Sequence, residues 1–382
     1  MRLAINASRA KSGGGLAHLI GLLNSASPSS FGFEEVHVWT YANLASKLPK
    51  RSWLTVHSPD ILDGSLIKQL IWERTRLGTD IKINNCNILL NVDAGTVCNF
   101  QPSVTLSRDM LSFEPREMLR YGFSWQFFRL LFLRYVQSRS LRNSTGSIFL
   151  TKYASQKIQD QTGSIANSTI IPHGVGPEFR LASQVSRRLY RSESVKLLYI
   201  SNALPYKHQW NVIDAVKRLR DDGFDVTLSL VGGGTGKAQH KTELKMKECD
   251  PQKKFVNQYP FSTSQELVEF LEKSDVFVFA SSCENMPNTL VEAMASGIPI
   301  SCSNKGPMPE VLKDAGIYFD PEDPSSIYFS IKALLLDAKL SNKLAAQALH
   351  YSQEYSWNRC AEETFKFLFK AVQISGVQND KC

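Results

Sequence analysis

The stretch DVFVFASSCENMPNTLVEAMASGIPI, residues 275–300, decides the fold. Val276, Phe277, Val278 and Phe279 form a short unbroken apolar run, the pattern of a central parallel strand covered on both faces. A polar loop holding Glu284 and Pro287 follows. A helix then opens near Asn288 or Thr289, with Gly297 just past its end and Pro299 beyond. In an open α/β sheet, ligands collect outside the carboxyl ends of the strands, near helix N-termini whose free N–H groups suit phosphate. Glu284 is therefore expected in that crevice, and Glu292, one turn into the helix, can face back toward it.

Two carboxylates beside a phosphate-binding terminus suit a sugar nucleotide, whose sugar and ribose offer hydroxyl donors to fixed acceptors. The same residues admit a local role. Thr289 and Glu292 stand at capping-box spacing, in which the glutamate only closes the helix N-terminus. The whole string weighs for the first reading. Glu-x7-Glu inside E-x7-EAMASGIPI, behind an apolar strand, resembles the family-four retaining glycosyltransferases of the GT-B fold (glycosyl transferases group 1). That resemblance continues over nearly the whole chain.

Composition bounds the answer independently. At 382 residues the chain exceeds the usual size of one core, so two domains are expected. An apolar fraction of 43% is ordinary for globular proteins, and no run approaches the roughly 20 apolar residues of a membrane span. The start, MRLAINASRA, turns polar too soon for a signal peptide and reads as a first strand. Seven cysteines, at 86, 98, 249, 283, 302, 360 and 382, form no CxxC pair. That argues against both a disulfide framework and a zinc site and for a reducing cytosol, so a cytoplasmic protein is expected. The net charge is +8, and residues 1–180 hold all of it, with 20 Lys+Arg against 12 Asp+Glu. A basic domain suggests an acidic partner: an anionic membrane surface, a phosphorylated substrate, or nucleic acid. Nucleic acid is set aside because no zinc-finger, RNA-binding or basic-zipper pattern appears.

Apolar runs alternate with helical patterns throughout, the signature of repeated βαβ units. Strands are expected at 3–6, 36–39, 88–91, 104–106, 147–150 and 169–171. Residues 172–194, rich in Pro, Gly, Ser and Arg, read as a connecting stretch. A second series follows at 196–200, 226–231, 254–257, 276–279, 298–301 and 317–319, closed by helices after Pro324. The expected division is 1–178 as an N-terminal Rossmann-like domain on the acceptor side, 179–194 as linker, and 195–355 as a C-terminal Rossmann-like domain on the nucleotide-sugar donor side. Residues 356–382 are expected to form a helix crossing back. The fold class is α/β; the resemblance implies GT-B, two Rossmann-like domains facing a central cleft.

Two further motifs address phosphate. SGGGLAHLIGLL, residues 12–23, follows the first strand and opens a helix, so its glycines let a ligand approach the backbone. A plain βα turn is the alternative. The cluster does not spell GxGxxG, which weakens a dinucleotide-dependent oxidoreductase. The resemblance implies that Gly14 and Gly15 face the donor diphosphate. YISNALPYKHQWNVIDAVKRL, residues 199–219, is similar to the family segment carrying an arginine and, five residues later, a lysine, both on the donor phosphates. Lys207 matches the lysine, Asn202 stands in place of the arginine, and His208 replaces the usual glycine. Phosphate stabilisation then rests more heavily on Lys207; a solvated lysine at a helix start is the alternative.

Other landmarks are present in modified form. IIPHGVGPEF carries His173 where the family has Asn, LVGGG matches the glycine turn after the second strand of the second domain, and Glu310 reads as a helix-start residue. Where relatives carry His-Asp near the acceptor, this chain has Arg108 and Asp109. The resemblance implies that Glu284 binds donor-sugar hydroxyls, Glu292 the ribose, and N–H groups at Asn288 and Thr289 the phosphate, with Lys207 and Glu284 as the catalytic pair and retention of anomeric configuration. No Asp-x-Asp and no His/Cys cluster is present, so no metal and no cofactor beyond the nucleotide sugar is expected.

REMLRYGFSWQFFRLLFLRYVQSRSLRNS, residues 116–144, interleaves Arg116, Arg120, Arg129, Arg134, Arg139 and Arg142 with Phe123, Trp125, Phe127, Phe128 and Phe132, as interfacial helices do. The alternative is a core helix whose arginines snorkel outward. The partners expected are a nucleotide sugar, a glycan or lipid-linked acceptor and an anionic membrane surface. Rival functions are a GT-B sugar-nucleotide epimerase, a glycan phosphorylase, and a catalytically weak sugar-nucleotide-binding subunit.

Overall fold

The computed structural model describes residues 1–10, 14–181 and 194–379. The chain divides into two compact units. The first takes Met1–Phe113, Phe123–Gly174 and Ser356–Cys382, and the second Glu114–Gly122 and Val175–Tyr355. The stretch expected as one domain, 1–178, is thus interrupted, since Glu114–Gly122 cluster with the second unit. Arg116 and Arg120 each place a guanidinium nitrogen 3.0 Å from Glu322, and Arg120 also holds Glu117 at 2.6 Å. Most of the expected linker 179–194 lies outside the described residues; before it the chain forms the helix Pro177–Leu181.

The first unit is built on a seven-stranded parallel sheet: β1 (Arg2–Asn6), β2 (Glu35–Trp39), β3 (Leu54–His57), β4 (Ile88–Asn91), β5 (Ser103–Leu106), β6 (Gly146–Phe149) and β7 (Ser168–Ile170), ordered β3-β2-β1-β4-β5-β6-β7. Strands β1, β4, β5 and β6 are almost wholly buried, which is why they read as continuous apolar runs. The edge strand β3 escaped the sequence reading. Its residues are half-buried or exposed, so it shows no such run. The last helix, Trp357–Asn379, belongs to this unit, and Trp357 stacks on His173 at 5.9 Å, which stacks in turn on His18 at 4.6 Å. His173, standing where the resembled family has Asn, is therefore a packing residue of this unit.

The second unit has a six-stranded parallel sheet: β8 (Val195–Ile200), β9 (Val226–Val231), β10 (Val256–Tyr259), β11 (Val276–Phe279), β12 (Ile300–Ser303) and β13 (Ile317–Phe319), ordered β10-β9-β8-β11-β12-β13. The strand expected at 254–257 starts two residues later. The Asp250 carboxylate captures the N–H groups of Lys254, Phe255 and Val256 at 2.7–2.8 Å, which delays entry into the ladder. In both sheets the order reverses between the first strand and the fourth. That reversal is where a doubly wound sheet opens a crevice for ligands.

Candidate functional site

In the second unit the crevice lies between the carboxyl ends of β8 and β11, and the chain delivers one charged side chain from each. After β8, Ser201 is held by Gln209, whose amide donates to its carbonyl and hydroxyl at 3.0 Å. Gly232, in the turn after β9, lies against it; a Cβ there would stand 2.7 Å from the Ser201 carbonyl oxygen. A short turn, Pro205–Lys207, then brings Lys207 forward, its carbonyl accepting from the buried Tyr199 hydroxyl at 2.7 Å. His208 follows with φ +46° and ψ 32°, the left-handed region that glycine fills without strain. The resembled family's glycine thus answers a backbone demand, and this chain meets it with a histidine held by Ser282, Nε2 to Oγ at 2.9 Å. Burial, then the charge of Arg120, pushes the His208 imidazole down to about 4. The Ser282 N–H donates to the Tyr206 carbonyl at 2.8 Å, so the loops after β8 and β11 are stitched together.

That stitching sets Lys207 against Glu284, and the two form an ion pair. Their side chains are only 13% and 16% exposed. Both are expected in a ligand crevice; there each is the other's counter-ion and mostly buried, with the Lys207 ammonium also 5.6 Å from the Phe279 ring centroid. Asn202 is exposed.

Downstream of Glu284 the helix Asn288–Ala295 starts on Pro287, and no side chain caps it. The capping box open to Thr289 and Glu292 does not form, because both residues lie inside the helix. The Asn288 N–H donates to the Met286 carbonyl at 3.1 Å, while the Thr289 N–H has no acceptor among the described residues. Glu292 is a strongly perturbed carboxyl. Its Oε2 is shut from solvent without a hydrogen-bond partner. Burial first, and the charge of Glu178 second, push its carboxyl up to about 7. An acceptor stored in that state favours a ligand bringing hydroxyl donors. Glu178, on the helix Pro177–Leu181, was not singled out in the sequence; it lies 114 residues away, and no spacing signals it.

In the first unit the corresponding crevice, after β1 and β4, holds Gly14 and Gly15 at the start of the helix Gly14–Ser25. Gly15 is occupied in a way the sequence did not show. A Cβ there would lie 1.6 Å from Arg108 Nη1, so only glycine admits the guanidinium. Arg108 Nη2 reaches Asp93 at 3.4 Å, and Arg9 holds Asp93 at 3.7 Å and the buried Glu73 at 3.6 Å. Asp109 turns inward: it accepts from the Leu111 N–H at 3.1 Å and the Gln137 amide at 3.4 Å, and burial raises its carboxyl. Arg9 and Asp93 were missed, although each sits two to three residues beyond a strand's carboxyl end, the position that marks ligand-facing residues in such sheets.

The expected single helix 116–144 is two. Pro115–Leu119 and Trp125–Asn143 are separated at Gly122, whose φ is +58°. No helix among the described residues is long and apolar enough to cross a membrane. Asp214, Glu248 and Cys249 bring potential metal-ligating atoms within 4.8 Å of one another, but the Lys245 ammonium already sits 3.0 Å from both carboxylates.

Residues 186–350 match the protein-family model described as glycosyl transferases group 1, a span containing Lys207, Glu284 and Glu292. The chain is 35% identical over 88 residues to the O-antigen chain mannosyltransferase B of Escherichia coli, covering 23% of this chain and 23% of that protein. It is 25% identical over 171 residues to the D-inositol 3-phosphate glycosyltransferase of Streptomyces bingchenggensis, 43% of this chain and 36% of that protein. The chain thus spans about a quarter to a third of the length of these curated relatives. Among solved structures, a sucrose-phosphate synthase from Thermosynechococcus elongatus superposes with a TM-score of 0.75 at 14% identity, covering 95% of this chain and 97% of that one. WaaG, a glycosyltransferase involved in lipopolysaccharide biosynthesis, gives 0.72 at 14%, covering 96% and 99%. Anabaena HepE in complex with UDP and glucose gives 0.71 at 16%, covering 95% and 98%. The fold is α/β of the GT-B type, with two Rossmann-like domains.

Proposed function

We propose that the protein is a retaining glycosyltransferase of the hexosyl-transferring type. In this reading it moves a sugar from a nucleotide-diphosphate sugar to a glycan or lipid-linked acceptor in cell-envelope polysaccharide synthesis. It needs no metal and works in the cytoplasm, at an anionic membrane surface. One observation carries the proposal: Lys207 and Glu284 converge from adjacent strands at the switch point of the second unit. Beside them stand the unused N–H of Thr289 and the unsatisfied Oε2 of Glu292. The four groups match, in kind, the parts of a nucleotide-diphosphate sugar.

When donor binds, the diphosphate takes over Lys207 from Glu284. The lysine and the helix N-terminus then stabilise the charge developing on the leaving diphosphate, an electrostatic role that replaces a metal. Glu284, released, accepts from donor-sugar hydroxyls, and Glu292 accepts from the ribose. Neither carboxylate forms a covalent intermediate. Asn202, uncharged and exposed where an arginine is usual, favours one second reading, a subunit that binds sugar nucleotides and turns them over weakly. One experiment separates the two: incubate the purified protein with a panel of UDP-, GDP- and dTDP-sugars and measure release of nucleoside diphosphate with a glycan acceptor. Turnover with at least one donor supports the enzyme. Saturable binding without turnover supports the subunit, and neither binding nor turnover refutes both.

A further inference from the structure

The connection from β4 to β5, residues 92–102, contains no helix, although parallel crossovers usually carry one to cover the sheet. The uncovered face remains as a groove of about 740 Å³, walled by the helix Leu66–Thr75 on one side and the helix Trp125–Asn143 on the other. That volume falls within the range of small-molecule sites. Its floor is already satisfied: Asn91 accepts from Asn6 at 3.1 Å and donates to Thr105 at 3.5 Å. The floor therefore asks nothing polar of an occupant.

The walls do. On the long helix, Phe128, Phe132, Tyr135 and Arg139 recur at i, i+4, i+7 and i+11, one stripe of the surface. Phe132 and Tyr135, both lining the groove, are 66% and 64% exposed. Across from them, Ile71, 55% exposed, and Arg74 line the other wall. Each wall thus presents an apolar residue followed, within about two turns, by an arginine nearer its C-terminus. Arg74 and Arg139 pair with no carboxylate among the described residues, and neither do Arg129, Arg134 and Arg142. The long helix has no acidic residue at all. Exposed aromatics beside unpaired arginines complement an amphiphile with a hydrocarbon chain and an anionic head.

We propose that this groove binds an anionic membrane lipid, one chain lying between Ile71 and Phe132 and the headgroup held by Arg74 and Arg139. The proposal deepens, and rests on, the membrane attachment in the function proposed above, but not on the transfer chemistry. It adds a second wall, the helix Leu66–Thr75, that interfacial contact by the long helix alone does not require.

The test is vesicle co-sedimentation at low salt, with phosphatidylcholine vesicles and with vesicles containing 30% phosphatidylglycerol. Wild type is expected to bind only the second kind and to be released as salt rises. Arg74→Gln/Arg139→Gln and Ile71→Ser/Phe132→Ser are each expected to lose binding at least tenfold with melting temperature unchanged, while Phe329→Ser in the second unit loses none. Inorganic diphosphate at millimolar concentration is expected not to displace the vesicles, because a free anion lacks the chain. Wild type that ignores anionic vesicles overturns the membrane attachment and the groove together. Wild type that binds while both double variants bind equally well overturns the groove alone. Displacement by diphosphate reassigns the arginines to a soluble anion and also overturns it. Should a serine variant unfold, Ile71→Ala/Phe132→Ala and the charge variant carry the same test.

Discussion

Replacing Glu292 by glutamine perturbs a carboxyl whose environment is far from its solution state. The carboxyl moves from 4.5 to about 7 on folding, driven by burial and then by Glu178. At roughly 1.4 kcal/mol per unit, the native state disfavours the ionised form by about 3 kcal/mol. The sign follows from proton counting. Between the unfolded value and the folded one the native state binds more protons, so stability falls as pH rises through that window. Below 4.5 the term vanishes; above 7 it is fully expressed as a penalty. Glutamine keeps the shape without the charge, and its own burial cost does not vary with pH. The stability difference, variant minus wild type, is therefore expected to grow by about 3 kcal/mol in the variant's favour between pH 4 and pH 8.5. For a unit of this size that is roughly 5–10 °C of melting temperature.

The same substitution is expected to weaken nucleotide-sugar binding, because glutamine accepts hydrogen bonds less strongly than carboxylate. Wild-type affinity should rise with pH through about 7 as the carboxylate forms, and variant affinity should stay flat. Scanning calorimetry at six pH values, paired with titration of the preferred nucleotide sugar, measures both. A stability difference that is the same at pH 4 and pH 8.5 refutes the argument that the Glu292 carboxyl is held away from solvent with an unsatisfied oxygen.

Lys207→Ala strands a mostly buried Glu284, so it is expected to cost about 2 kcal/mol of stability and lower turnover by about 100-fold or more; near-normal activity would sink the assignment. The double variant Lys207→Ala/Glu284→Ala removes the stranded charge and is expected to regain stability but not activity, which calorimetry and turnover measure separately. Gly15→Ala puts a methyl group where Arg108 lies and should swing the guanidinium off Asp93. Melting is expected to change little and transfer to fall, whereas unchanged steady-state kinetics would place Arg108 outside the reaction. Transfer is expected to persist in excess EDTA; full loss restored by Mn²⁺ or Mg²⁺ contradicts the metal-free mechanism.

What the sequence disclosed and what it hid divide along the range of the interactions. β11, Val276–Phe279, and the helix from Asn288 were readable because a buried parallel strand is one apolar run and a helix start has local punctuation. Strand β3 was not, since an edge strand with exposed residues has no such run. Lys207 and Glu284 were each legible by motif, but their ion pair joins residues 77 apart, and nothing local announces that the two charges neutralise each other. His208 was legible only as an oddity; its meaning, a left-handed residue braced by Ser282, needed the backbone. The Gly14–Gly15 pair read as room for a ligand, whereas the structure fills the space over Gly15 with Arg108, a contact across 93 residues. The helix expected at 116–144 failed at Gly122, where apolar and basic periodicity continued through a backbone break.

The central claim is that the second unit takes a nucleotide-diphosphate sugar at the ends of β8 and β11. Hydrogen exchange followed by mass spectrometry, with and without the nucleotide sugar that best stabilises the protein, tests it most directly. Protection is expected in residues 201–209 and 282–292, and it should be lost in the Lys207→Ala/Glu284→Ala variant. A stabilising nucleotide sugar that leaves both segments unprotected, or protects them equally in that variant, contradicts the claim.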